Sequence, residues 1–259
     1  MTLSIEKLGP TLNRSRLLLT HIRKGDYVHP GEEEAIDGVI LKTLAFNPAL
    51  TASPALDVGC GFGGTADYLF KKGFHCVEGL DSDPAAIAYA QNKYTALSLT
   101  KGDALNASQL YPPDHFGLIT LFNVAYAIED KGALLKALSE IAKPGAILVL
   151  FDYACGKSNP NVFKGDLAGK PMYPICLDDV QKDLQKANWE MLESVDMTQD
   201  YIRWYKVLLN TLASESSLLK ERFSEEEVEK VRKTFSHLLN QLECEELGGV
   251  TIYARKKAS

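Results

Sequence analysis

The chain has 259 residues, 46% of them hydrophobic and 24% charged, with 34 acidic against 28 basic side chains and a formal net charge of −6. That length suits one large core, or one domain with an appendage. The acidic balance argues against a nucleic-acid partner, which needs a basic face. The five cysteines, Cys60, Cys76, Cys155, Cys176 and Cys244, form no CxxC pair. They predict reduced thiols in a cytoplasm, with neither a disulfide framework nor a metal site. The N-terminal stretch carries Glu6, Lys7, Arg14 and Arg16 and no long apolar run, which argues against a signal peptide. The longest apolar runs, such as 146–151, are strand-sized and predict no membrane span.

In chain order, 12–22 and 32–46 read as helices. The second opens on Glu32, Glu33 and Glu34, which suit a helix N-terminus. The loop between them, KGDYVHPGEE, holds Tyr27 and His29. From Ala55 the pattern alternates. Strands are predicted at 55–60, 75–80, 96–100, 117–122, 146–151 and 190–195, and helices at 64–72, 84–93, 130–142 and 177–187. Lys143-Pro144-Gly145 is a turn before the fifth strand. The alternation implies a parallel sheet covered on both faces. It breaks at a helix over 198–212 and a second helix announced by the capping box Ser224-Glu-Glu-Glu227, before a last strand at 248–254. The expected organisation is an α/β, Rossmann-like, seven-stranded mostly parallel sheet over 51–196 and 246–259. An N-terminal helical segment with a lid loop occupies 1–50, and a helical insertion over 197–245 serves as substrate lid. Both helical parts are positioned to roof the carboxyl ends of the strands, where open α/β sheets bind ligands.

The first strand runs into LDVGCGFGG at 56–64. Glycines there allow positive φ and close approach of a ligand, and the following helix offers unpaired N–H groups. Gly59, Gly61 and Gly64 also satisfy GxGxxG, with Asp81 about twenty residues on, which leaves a nicotinamide-dependent oxidoreductase as an alternative. Asp57 weighs against a pyrophosphate and in favour of a ligand with a positive charge.

LDVGCGFGG resembles the first motif of class I S-adenosylmethionine-dependent methyltransferases. GLDSDP at 79–84, GDA at 102–104, FGLITLFNVAYAI at 116–128 and IAKPGAILVLFDY at 141–153 resemble the segments that follow it, in register and in order. The resemblance implies S-adenosylmethionine as cofactor and S-adenosylhomocysteine as product. It places the cofactor on Asp57, Gly59, Cys60, Gly61, Gly63, Asp81, Ser82, Asp103, Ala104 and Asn123. Asp81 would hold the ribose hydroxyls, Asp103 and Ala104 the adenine, and Asn123 would sit under the methionine part.

The whole chain is most similar to small-molecule amine N-methyltransferases of the phosphoethanolamine and sarcosine/dimethylglycine type. That resemblance implies a catalytic Tyr27 above the methyl group, with Tyr153 and Tyr173 lining the acceptor pocket. At positions where the phosphoethanolamine enzymes carry an aspartate and a histidine, this chain has Asn123 and Ala127, which take no proton. Phosphoethanolamine is therefore a poor fit. His29 is a second candidate base, and Tyr126, Tyr201 and Trp204 are candidate aromatic contacts for an alkylated amine. The expected function is methyl transfer to a small molecule, an amine nitrogen, by in-line displacement. A protein-directed or non-catalytic cofactor-binding protein stays open as an alternative. Neither nucleic acid nor membrane is expected as a partner, and the oligomeric state is not readable.

Overall fold

The computed structural model describes residues 12–158, 165–167 and 169–258. The first eleven residues, on which part of the signal-peptide reading rests, lie outside them.

Helix α1 (Arg14–Ile22) is capped by the Asn13 side chain, which accepts from Arg16 N. Helix α2 (Glu32–Phe46) begins at the three glutamates. Then come β1 (Ala55–Val58), α3 (Gly64–Lys71), β2 (Val77–Asp81), α4 (Pro84–Lys93), β3 (Ser98–Lys101), α5 (Ala107–Leu110), β4 (Phe116–Phe122), α6 (Lys131–Ile141) and β5 (Ala142–Cys155). A two-stranded hairpin follows, β6 (Asp166–Leu167) with β7 (Lys170–Pro171), and then α7 (Leu177–Lys186) and β8 (Trp189–Asp196). The chain ends with α8 (Thr198–Ser214), α9 (Ser216–Leu219), α10 (Glu225–Glu243) and β9 (Leu247–Lys256). The capping box at Ser224–Glu227 is present, each side chain satisfying the other residue's backbone N–H.

The sheet order is β3-β2-β1-β4-β5-β9-β8. Pairs from β3 through to β5 are parallel, and β9 runs antiparallel to both β5 and β8. Strand β5 alternates cleanly. Ile147, Val149, Phe151 and Tyr153 face one core, with α1, α2, α8 and α10; Ala146, Leu148, Leu150 and Ala154 face the other, with α6 and α7. The two-sided burial of a parallel sheet thus puts Phe151 and Tyr153 on the face that meets the N-terminal helices and the insertion.

Two expectations need correction. Strand β5 is longer than 146–151: Ala142 already pairs with Phe116, the Lys143–Gly145 turn bulges out, and pairing resumes at Ile147–Leu118. At its far end β9 accompanies it to Cys155, opposite Leu247. The reduced-thiol reading fails for two cysteines. Cys155 and Cys176 form a disulfide, with Cα atoms 5.0 Å apart. The cause is a contact invisible in spacing: the 174–176 segment runs beside the end of β5, Ala154 bridging Ile175. Cys60, Cys76 and Cys244 are free, and Cys60 is buried. Thiol titration without reductant should find two reactive groups in the folded protein, three after denaturation and five after reduction. Five before reduction would contradict the bridge. Replacing both Cys155 and Cys176 with serine should cost about 2–3 kcal/mol in denaturant unfolding, because the bridge closes a loop of 21 residues' separation.

Candidate functional site

The carboxyl ends of β1 to β5 open into a cavity of ≈ 880 Å³, roofed by α1, α8, α10 and the β6–β7 hairpin. At the centre of its floor is the glycine turn. Gly59, Gly61 and Gly63 all hold positive φ, at 70°, 52° and 86°. A Cβ on Gly59 would collide with Val124 of the loop after β4, so only glycine lets the two loops close together. Gly64 serves a different contact: a Cβ there would stand 2.6 Å from the carbonyl oxygen of Asp26. The Tyr27–His29 loop thereby rests on the N-terminus of α3. Asp26 anchors that loop from the other side, accepting from Lys93 Nζ and Tyr94 Oη at 2.7 Å each and from Tyr89 Oη at 3.2 Å.

Beneath the turn lies Asp57, 2% exposed. Its Oδ1 accepts from Thr120 Oγ1 at 3.2 Å, while Oδ2 is buried with no partner. Burial pushes its pKa up to about 8. At the end of β2, Asp81 accepts from the backbone N–H of Gly61 and of Asp83, both at 2.8 Å. It thus braces the glycine turn against the start of α4 while still lining the cavity beside Ser82. At the end of β3, Asp103 and Ala104 line the wall, Asp103 accepting from Leu105 N at 3.0 Å.

The loop after β4 is held by Asp152, which is wholly buried. Its carboxylate accepts from the backbone N–H groups of Val124, Tyr126 and Tyr153 at 2.9, 3.3 and 2.7 Å. Burial lifts its pKa to about 6 against those bonds. Asn123 takes φ 53° and lines the cavity. Its Oδ1 accepts from Tyr201 Oη at 3.0 Å, which fixes the amide, and its buried Nδ2 has no partner.

Tyr126 and Tyr153 line the cavity with ring centroids 5.3 Å apart, edge to face. Tyr205 lines it as well, its hydroxyl hydrogen-bonded to that of Tyr153. Phe122, Leu19, Val231 and Phe235 complete this compartment. His29 also lines it, only 4% exposed. Its Nδ1 is 3.0 Å from Pro30 O and its Nε2 3.1 Å from Thr65 Oγ1, so the neutral ring donates from Nδ1 and accepts at Nε2. Burial pushes its pKa down to about 3.

The structure brings together Gly59, Gly61, Asp81, Ser82, Asp103, Ala104, Asn123, Tyr126, Tyr153 and His29 on one cavity. Asp57 and Gly63 lie behind the wall and shape it. Five side chains are elsewhere. Cys60 packs against Ile87, Ala90 and Leu99. Tyr201 stacks on Phe151 at 5.3 Å, and Trp204 donates to Glu34 Oε2 at 3.0 Å with its ring against Gly31. Tyr173 is absent from the wall; its carbonyl accepts from Lys131 Nζ at 2.7 Å. The largest correction concerns Tyr27. Its hydroxyl donates to Glu33 Oε1 at 3.1 Å, and its ring contacts Tyr68 rather than the cavity. Tyr27→Phe should therefore leave turnover within about twofold of wild type and cost about 1 kcal/mol of stability, the worth of one hydrogen bond. A large fall in kcat with unchanged stability would restore the catalytic role.

The strand order, with one antiparallel strand in an otherwise parallel run, and a glycine turn flanked by acids at successive strand ends define the class I S-adenosylmethionine-dependent methyltransferase fold. A family model described as a methyltransferase domain matches residues 31–194, and the chain belongs to that family. It is 28% identical over 208 residues to norajmaline N-methyltransferase of Rauvolfia serpentina, covering 73% of this chain and 66% of that one. It is 26% identical over 181 residues to phosphoethanolamine N-methyltransferase 1 of Arabidopsis thaliana, covering 68% of this chain and 36% of that one. The chain thus matches between about a third and two thirds of the length of these relatives. Among solved structures, Haemonchus contortus phosphoethanolamine N-methyltransferase 2, in complex with phosphomonomethylethanolamine and S-adenosylhomocysteine, superposes with a TM-score of 0.83. It covers 96% of this chain and 59% of that one at 16% identity, a likeness of fold.

Proposed function

We propose that the chain is an S-adenosylmethionine-dependent methyltransferase that methylates a small molecule at nitrogen. The observation that carries this reading is the continuity of the cavity: one space of ≈ 880 Å³ joins the glycine turn and the acids of β2 and β3 to an aromatic compartment. That size suits a nucleoside ligand with a small acceptor beside it. The residues fit the cofactor. Asp57 Oδ2, buried and unpaired, is complementary to a cationic ligand. In this reading Asp81 holds the ribose hydroxyls, Asp103 with Ala104 the base, and the Gly59–Gly61 backbone the amino-acid end. Bound there, S-adenosylmethionine supplies a methyl group on a sulfonium with a neutral leaving group.

The chain's own part is mainly positioning. Asp152 fixes three amides of the loops that carry Asn123, Tyr126 and Tyr153. Roof helices α1, α8 and α10 cover the acceptor side, and the 197–245 insertion acts as the lid. Holding nucleophile and methyl carbon in line supplies much of the rate when the leaving group is this good. The names of the relatives, both N-methyltransferases, support nitrogen as the acceptor atom.

No described helix is long and apolar enough to cross a membrane. A cytoplasmic location is part of the proposal, supported by three free cysteines. The Cys155–Cys176 bridge is the feature a reducing compartment would open.

The test is transfer of radiolabel from methyl-labelled S-adenosylmethionine to a panel of amines, with S-adenosylhomocysteine binding measured in parallel. Binding with labelled product supports the proposal. Binding without transfer to any small molecule would favour a protein-directed or regulatory role, and binding of NAD alone would reverse the assignment.

A further inference from the structure

The acceptor half of the cavity carries unusually little that can hold a charged amine. Its walls are Phe122, Tyr126, Tyr153 and Tyr205, and its roof includes Leu19, Leu167, Val231 and Phe235. The tyrosine hydroxyls are occupied within the protein where that matters most: Tyr153 and Tyr205 satisfy each other, and Tyr201 behind them is spent on Asn123. Most of what faces inward is ring carbon and aliphatic carbon; the polar exceptions are the Tyr126 hydroxyl and Asn123 Nδ2, neither of which has a hydrogen-bond partner among the described residues.

From α1 comes Arg16, 3.5 Å from Asp83. From α10 comes Lys230, and from the β6–β7 hairpin Lys170. These three are cations and disfavour an ammonium. From the loop before α2 comes His29, with both ring nitrogens engaged by Pro30 and Thr65. Arg23 lies behind it, its side chain 2% exposed and bound to Glu32 at 2.8 Å. On β5, Asp152 has both oxygens on backbone N–H groups and no exposure. The carboxylates on the wall are Asp81 and Asp103 at the ends of β2 and β3, and Glu129 and Asp130 at the exposed start of α6. Asp81 and Asp103 accept backbone bonds, and Asp130 caps α6 through Ala133 N. Among the described residues, the one carboxylate on this wall without a hydrogen bond is Glu129, exposed at the start of α6; the buried carboxylates and the imidazole around the aromatic compartment are all engaged within the protein.

Resting on the methyltransferase reading above, we propose that the acceptor is an apolar, ring-bearing molecule whose nucleophilic nitrogen is uncharged at neutral pH, such as an arylamine or an azaheterocycle, and that none of the buried side chains described around the aromatic compartment acts as a general base. The nitrogen lone pair forms the N–C bond as the C–S bond breaks. The electron pair of that bond passes to sulfur, leaving neutral S-adenosylhomocysteine, and the positive charge moves to nitrogen. An arylammonium is acid enough to give its proton to water after transfer, and a quaternised ring nitrogen has none to lose. In the transition state the growing charge on nitrogen meets the faces of Phe122, Tyr126 and Tyr153, which attract cations without holding the ground-state neutral molecule equally tightly. An aliphatic ammonium meets the opposite situation: it must shed its hydration against apolar walls and lose a proton to solvent before it can react.

The experiment compares size-matched acceptors (an arylamine, an azaheterocycle, a benzyl-type aliphatic amine and phosphoethanolamine) by S-adenosylhomocysteine release across about pH 6 to 9, where the aliphatic amine remains mostly protonated. The expected result is kcat/KM at neutral pH about tenfold or more higher for the two neutral ring acceptors, the gain of a desolvated ring without an ammonium to deprotonate. Their rates should be flat with pH, while the aliphatic amine's rate climbs about tenfold per unit with its free-base fraction. Preference for phosphoethanolamine or the aliphatic amine, with a plateau well below that amine's own pKa, would reveal an enzymatic base and overturn the inference while leaving the methyltransferase reading intact. Turnover of none of the four acceptors would overturn it also, and loss of S-adenosylhomocysteine binding in a parallel titration would instead remove the reading beneath it.

Discussion

Asp81→Asn should weaken S-adenosylhomocysteine binding by about ten- to a hundredfold, the loss of roughly 1.5–3 kcal/mol of charge-assisted hydrogen bonding. The effect is large because one carboxylate does two things. In the proposed reading it accepts the ribose hydroxyls, and its two oxygens already accept from Gly61 N and Asp83 N at 2.8 Å. An asparagine keeps the shape but turns one acceptor into a donor, which faces a backbone N–H and cannot bond to it. The glycine turn and the start of α4 then lose their common brace. Isothermal titration calorimetry on the variant, with circular dichroism to confirm folding, reads the effect. Unchanged affinity in a folded variant would mean that the ribose sits elsewhere.

Asp57→Asn should separate stability from binding, and its sign depends on pH. Burial, reinforced by neighbouring Asp81, lifts the Asp57 pKa from 3.8 to about 8. The folded protein therefore holds this proton more tightly than the unfolded chain does. The stability that follows is fully present below pH 3.8 and is lost as pH rises through about 8. Asparagine keeps the Thr120 contact and cannot ionise. Wild type and variant should have the same unfolding free energy near pH 4, and the variant should be the more stable by over about 1 kcal/mol at pH 9. The same change should weaken cofactor binding by about tenfold, because asparagine cannot ionise behind the wall to offset the charge of a cationic ligand. Denaturant titrations across pH give the first result, and calorimetry gives the second. A variant less stable than wild type at high pH would show that Asp57 is held charged by a partner within the protein.

Much of the architecture was legible because it follows from local chemistry. The strand–helix alternation, the Pro84 helix start, and the capping box at 224–227 each depend on residues within one turn of one another, and each appears in the structure. The cavity floor was legible for the same reason, since the acids stand at strand ends and the sheet order brings those ends together.

The roof was not legible. Tyr201, Trp204 and Tyr205 form one helical stripe, and periodicity says only that they share a face. The packing of α8 on the sheet decides that Tyr201 meets Phe151 and Asn123, that Trp204 turns to Gly31 and Glu34, and that Tyr205 reaches the cavity. Tyr27 was misplaced by the same kind of distant contact, since Asp26 and Gly64 set the path of its loop. The Cys155–Cys176 bridge depends on a chain crossing 21 residues away and left no mark in cysteine spacing.

The central claim is that one cavity holds the cofactor on the glycine turn with its reactive end toward the aromatic compartment. A crystal structure of the complex with S-adenosylhomocysteine tests this most directly. The account predicts the ribose on Asp81, the adenine beside Asp103 and Leu105, and the sulfur facing Asn123 and Tyr126. A ligand bound away from the glycine turn, or seated there with its sulfur turned from Tyr126 and Tyr153, would contradict it.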